Sequence, residues 1–260
     1  MIKNVVAITP VWNEPLGMIQ GFLETVDVAR KKLIEKGLGF RHFFLDDGTL
    51  HLPDEYSILV RHPENQGLAR TLADGYKAVL GLKSQSDLII RLDCQEHDPL
   101  QIPFVVDHFS HTSKLQALFL PVWYWIEGED RPLMKDITLM IANFVRALSP
   151  IEKQVVLGTY NQKFPLGYQA FRPSVLKEML PRLENGMAIF QEKTGKPATW
   201  GLDLLTIMLA AHQYPEAIDF VFGGWSSPWL SNRGADKVEA QKQKAVAMVA
   251  IAEALGCPAL

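Results

Sequence analysis

Cysteine is nearly absent from the chain: two in 260 residues, Cys94 and Cys257, far apart and in no metal-spaced pair. That excludes a disulfide-stapled scaffold and a cysteine zinc site, and it points to a reducing, cytoplasmic setting. An excess of one charge is missing too. With 26 Lys and Arg against 29 Asp and Glu, the net charge is −3, which excludes a strongly basic nucleic-acid binder. No apolar run approaches the ~18 residues of a membrane span. The longest, LFLPVWYWI (Leu118–Ile126) and AVAMVAIA (Ala245–Ala252), fall far short. No repeat, low-complexity segment or Gly/Ser/Pro linker divides the chain, and its first residues lack the layout of a signal peptide. The expectation is one domain, cytoplasmic, with at most peripheral membrane contact. LMIANFVRALSPI (Leu139–Ile151) is the amphipathic stretch that would make such contact.

What is present is an alternation of short β-rich runs with helical periodicity. Strands are expected at Val5–Pro10, Arg41–Asp47, Tyr56–His62 and Leu88–Asp93, with helices over Leu16–Gly37 and Gln66–Leu82. The order β-α-β-β-α-β implies a largely parallel sheet covered by helices. In the second half, strands are expected within Lys114–Trp125, Gly167–Pro173 and Ala217–Trp225. Helices are expected over Leu133–Ser149, after Pro173, over Thr199–Gln213 and over Ala235–Gly256. Ligands on such sheets bind beyond the carboxyl ends of the strands. Polar clusters stand at those ends: TPVWNE, DDGT, HPENQG and DCQEHD. No Gly-rich basic phosphate loop follows the first strand, where TPVWNEPLG stands instead, and this disfavours a nucleotidyltransferase.

These clusters, in this order, resemble the family 2 glycosyltransferases. TPVWNEPLGMIQGFL is similar to the family's opening P-x-Y-N-E segment, with Trp12 in the aromatic place. FLDDGT is similar to V-D-D-G-S, NQGLARTLADGYKAVLG to N-x-G-x-x-x-A-x-x-x-G, and LDCQEHDPLQIP to D-A-D-x-Q-H-D-P-x-x-I-P. Further on, PLGYQAFRPSVLKEM resembles S-G-F-R-x-Y-R-x-x-V-L. NRGADK (Asn232–Lys237) resembles the R-x-x-G-x-S-K segment of the dolichol-phosphate mannose synthase branch. The resemblance implies a single α/β domain over 1–260 with the glycosyltransferase A fold, a mostly parallel mixed sheet flanked by helices. Residues 1–110 would be the nucleotide-binding half and 111–260 the acceptor side. It also implies a metal-dependent inverting transferase that uses Mg²⁺ or Mn²⁺. The donor would be a nucleotide-diphosphate sugar, and the acceptor a polyprenyl phosphate or a hydroxyl.

By the same resemblance, Pro10, Trp12, Glu14 and Asp46 line the base and ribose pocket. Asp47 either shares that role or caps the turn through Gly48. Gly67 lets the backbone approach closely, and Arg70, one turn into its helix, is placed to face the diphosphate. Asp93 is the expected metal anchor, with Gln95 and Glu96 beside it as oxygen ligands. His97 orients that loop. The loop departs from the family's pattern: it is one residue shorter, and the acid and amide at Gln95 and Glu96 have exchanged places. Asp203 is the expected base for a hydroxyl acceptor. Arg131, Lys135, Arg233 and Lys237 would meet a phosphate. The competing reading, a non-catalytic sugar-nucleotide or glycan-binding module with an impaired metal site, follows from the altered loop.

Overall fold

The computed structural model describes residues 2–49, 52–83, 85–94, 97–120, 123–124, 168–199, 201–220, 226–227, 247 and 250–257. The first half follows the expected order: β1 (Asn4–Val11), α1 (Leu16–Glu35), β2 (Gly39–Asp46), β3 (Ile58–Arg61), α2 (Leu68–Leu80) and β4 (Leu88–Arg91). A 3-10 turn at Pro99–Gln101 leads into α3 (Ile102–His111). Then come β5 (Ala117–Phe119), β6 (Trp123–Tyr124), β7 (Gln169–Phe171), α4 (Pro173–Thr194), α5 (Leu202–Gln213), β8 (Ile218–Phe220) and β9 (Ser226–Ser227).

Seven strands form one sheet in the order β3-β2-β1-β4-β7-β5-β8. β1 runs parallel to β2 and β4, and β2 parallel to β3, so their carboxyl ends share one edge. β7 alone runs antiparallel to both of its neighbours, β4 and β5. The run expected as one strand within Lys114–Trp125 is two. β5 belongs to the main sheet, while β6 pairs with β9 in a separate two-stranded sheet. Pro121, between them, has no amide N–H to give a ladder. The expected helix Leu133–Ser149 lies outside the described residues. So does most of Ala235–Gly256, whose last turns are helical at 250–254.

Alternation along the strands builds a core on each face. Val5, Ala7, Phe44, Leu88 and Ile90 pack with Ile19, Val26 and Leu33 of α1 and Val105 and Val106 of α3. Val6, Ile8, Leu45 and Ile89 pack with Leu72 and Tyr76 of α2, Leu176 and Met179 of α4, and Leu205 and Leu209 of α5. Buried on both faces, β1 and β4 have almost no solvent-facing side chain. Among the described residues, no helix is long and apolar enough to cross a membrane.

Candidate active site

A pocket of about 470 Å³ opens where β1, β2 and β4 end, as a parallel sheet with covered faces favours. Of the residues singled out from the sequence, Pro10, Trp12, Glu14, Asp47, Gly67 and Asp93 line it. Val11, Asn65, Leu68, Thr71, Cys94 and Thr199 complete the wall. The Trp12 ring is 53% exposed at the rim. Glu14 Oε2 accepts the backbone N–H of Trp12, which closes the turn after β1.

The two aspartates that end β2 part ways. Asp46 is 1% exposed and does not line the pocket. Its Oδ1 accepts the Thr49 N–H at 2.8 Å, and its Oδ2 accepts from Arg61 Nε at 2.9 Å. Asp46 is therefore the residue that caps the turn through Gly48. Asp47, facing the other way, accepts the Gln66 and Gly67 N–H groups at 2.8 and 2.9 Å and lines the pocket. Those bonds hold the loop that precedes α2. Gly67 has φ +88, and a Cβ there would meet Thr199 Cα at 2.8 Å, so only glycine fits the seam between this loop and residue 199. Arg70 is turned aside. Its Nε donates to Asp74 at 2.7 Å, and its side chain is 53% exposed.

Asp93 is paired with a buried residue that was not singled out from the sequence. Arg91, the last residue of β4, is fully buried. One of its terminal nitrogens donates to both oxygens of Asp93, at 2.8 and 3.1 Å, and the other lies 3.6 Å from Asp203 Oδ2. A charged residue within the apolar run LIIRLD was the signal available, because a buried guanidinium requires anionic partners. Asp203 opens α5 and is 6% exposed; it does not line the pocket. Burial pushes its carboxyl up from the usual range, against the pull of Arg91. Gln169 ties α2 to the start of α5, accepting from Tyr76 Oη at 3.4 Å and donating to the Asp203 carbonyl at 3.1 Å.

The Asp93 N–H donates to His97 Nδ1 at 2.7 Å, so the neutral ring carries its proton on Nε2. Burial lowers the His97 imidazole to about 4, and the ring stands edge-on to Tyr168 at 5.5 Å. This is the loop-orienting contact expected of it. Gln95, Glu96, Arg131, Lys135, Arg233 and Lys237 lie outside the described residues. Among the described residues, no three His, Cys, Asp or Glu side chains converge as a metal site. Asp93 meets one requirement of a divalent cation: it is a hard carboxylate on the pocket wall. Arg91 already neutralises much of its charge.

The mixed sheet in this order, with a pocket at its carboxyl edge, is the glycosyltransferase A fold. Among solved structures, the chain is similar to glucosyl-3-phosphoglycerate synthase from Mycobacterium tuberculosis in complex with phosphoglyceric acid. The TM-score is 0.61 and the identity 16%, over 99% of this chain and 81% of that one. The same enzyme in complex with uridine diphosphate gives 0.61 and 16%, over 99% and 82%. Mannosyl-3-phosphoglycerate synthase from Rubrobacter xylanophilus gives 0.58 and 14%, over 99% and 76%. No family profile matches the sequence, and no curated protein does.

Proposed function

We propose that the protein is an inverting glycosyltransferase that moves a sugar from a nucleoside-diphosphate donor to an acceptor hydroxyl. The observation that carries this is the pocket itself. Trp12, Glu14, Asp47 and Asp93 meet at the carboxyl edge of a sheet whose fold, in a similar structure, accompanies bound uridine diphosphate. In this reading Trp12 offers its face to the base, Glu14 and Asp47 accept from base or ribose, and Gly67 lets the pocket wall close against Thr199. Residues 1–110 supply the donor side and 111–260 the acceptor side. Asp203, buried outside the pocket that Trp12 and Asp93 line, would take the proton of an acceptor hydroxyl that reaches it from the 111–260 side, its carboxyl raised by burial.

Asp93, with Gln95 and Glu96, would hold Mg²⁺ or Mn²⁺. Such a cation stabilises the charge that develops on the leaving diphosphate. A hydroxyl acceptor is favoured over a polyprenyl phosphate because phosphoglyceric acid accompanies the similar structure, and Arg131, Lys135, Arg233 and Lys237 would suit an anionic acceptor of either kind. Cytoplasmic placement belongs to the same reading. The second reading, a binding module without catalysis, is favoured by the Arg91 guanidinium already bound to Asp93 and by the exchange of acid and amide at Gln95 and Glu96.

Screening nucleotide sugars for hydrolysis and for thermal stabilisation, with and without Mn²⁺, tests the proposal. Donor hydrolysis that is lost in Asp93→Ala supports it. Stabilisation without hydrolysis selects the binding module, and no response to any donor removes both.

A further inference from the structure

His62 stands at the end of β3 with a carboxylate on each ring nitrogen. Nδ1 lies 2.9 Å from Asp47 Oδ1 and Nε2 lies 3.3 Å from Asp74 Oδ2. Asp47 also receives the Gln66 and Gly67 N–H groups, so one carboxylate joins His62 to the pocket's loop. The imidazole side chain is 12% exposed, and those of Asp47 and Asp74 are 6% and 21% exposed. A carboxylate can only accept, so the ring nitrogen beside Asp47 is the donor of that contact, while Asp74 also accepts from Arg70 Nε at 2.7 Å.

We propose that His62 is a positioning residue for the Asn65–Gly67 wall of the pocket, acting through Asp47, whose carboxylate it holds from one side while that carboxylate holds the Gln66 and Gly67 amides from the other. The other groups around it are accounted for. Thr71 Oγ1 donates to the Gly67 carbonyl and sits 3.4 Å from His62 Nδ1, which binds the ring and the loop to α2. Arg70, on the same helix, is engaged by Asp74. Arg61, the neighbour of His62 in β3, is engaged by Asp46 and Asp54. Without the imidazole, Asp47 and the loop it holds lose their outer brace. An effect on nucleotide affinity rests on reading the pocket as a nucleotide site, whereas the loop-holding role does not.

Two measurements separate those claims. The first follows amide hydrogen exchange, corrected for intrinsic rates, at Gln66 and Gly67 in the parent, His62→Ala and His62→Gln. His62→Ala should exchange about fivefold faster at these two amides while the amides of β1 keep their rates, and His62→Gln, which keeps a side-chain N–H for Asp47, should restore part of the protection. Unchanged exchange at Gln66 and Gly67 in His62→Ala, or equal acceleration throughout the chain, overturns the positioning role. The second titrates uridine diphosphate into the parent and His62→Ala. His62→Ala should bind about fivefold more weakly, and equal affinity overturns the coupling to the pocket. If the parent binds no uridine diphosphate, the donor reading fails, and the exchange rates still decide the role of His62.

Discussion

The Arg91 guanidinium lies between Asp93 and Asp203, donating to the first at 2.8 Å and standing 3.6 Å from the second. One buried cation thus serves both carboxylates of the proposed chemistry. Arg91→Met leaves Asp203 buried without its counterion, which costs about 3–5 kcal/mol. Arg91→Met combined with Asp203→Asn should be more stable than Arg91→Met alone, because the uncompensated charge is gone. Urea unfolding of the parent, the two single variants and the double variant measures the coupling. A double variant no more stable than Arg91→Met would show that the pair is not coupled.

Stability should also depend on pH through His42. This ring is buried beside Phe22 and Phe44, with Nε2 2.9 Å from Thr9 Oγ1. Burial, with help from Arg30, lowers its pKa from 6.5 to about 3. The unfolded chain therefore takes up the proton first as the pH falls. The contribution is complete above the unfolded value and is lost as the pH drops from that value towards the folded one, reaching roughly 3 kcal/mol by about pH 4. His42→Gln keeps a polar partner for Thr9 and should flatten this part of the stability–pH curve.

Trp12 is half exposed, so Trp12→Ala should change unfolding free energy by less than about 0.5 kcal/mol. Loss of its ring should weaken uridine diphosphate by roughly 1–2 kcal/mol in the same preparation. Calorimetry beside thermal unfolding gives both numbers. Unaltered affinity would move the base-binding surface elsewhere in the pocket.

Gly67→Ala combines a strained φ of +88 with a Cβ placed 2.8 Å from Thr199 Cα. It should destabilise the fold by at least about 1 kcal/mol. It should also weaken nucleotide binding, since Gly67 and Thr199 both line the pocket. Gly37 also has a positive φ but open space around its Cβ position, so Gly37→Ala is the control for backbone strain alone.

The sequence reading located the pocket because β1, β2 and β4 are apolar runs that end abruptly in polar residues. Their parallel pairing puts Val11 opposite Asp46 and Ile8 opposite Arg91, so those ends meet. Asp46 was expected in the pocket and Asp47 as the alternative cap of the turn, and the two are reversed. Adjacent strand residues face opposite ways, and an Asp-Asp pair does not say which one faces the pocket. Arg91 was overlooked because its partners come from Asp93 and from Asp203, more than a hundred positions away. The direction of β7 was illegible for the same reason: three residues pair with two strands far off in the chain, and nothing local encodes their orientation.

That β7 lies between β4 and β5 carries a consequence for how the chain folds. Among the described residues, β4 has β1 as its only earlier partner, and β5 pairs with β7 and β8, both of which follow it. Until residue 169 has emerged from the ribosome, β4 therefore presents an open row of amides and carbonyls, and β5 has no ladder at all. Closing the sheet requires contacts of large sequence separation, which makes this a slow, late event and leaves a sticky edge exposed meanwhile. Fragments that end before β7 should accordingly aggregate, even though they contain every strand that borders the pocket.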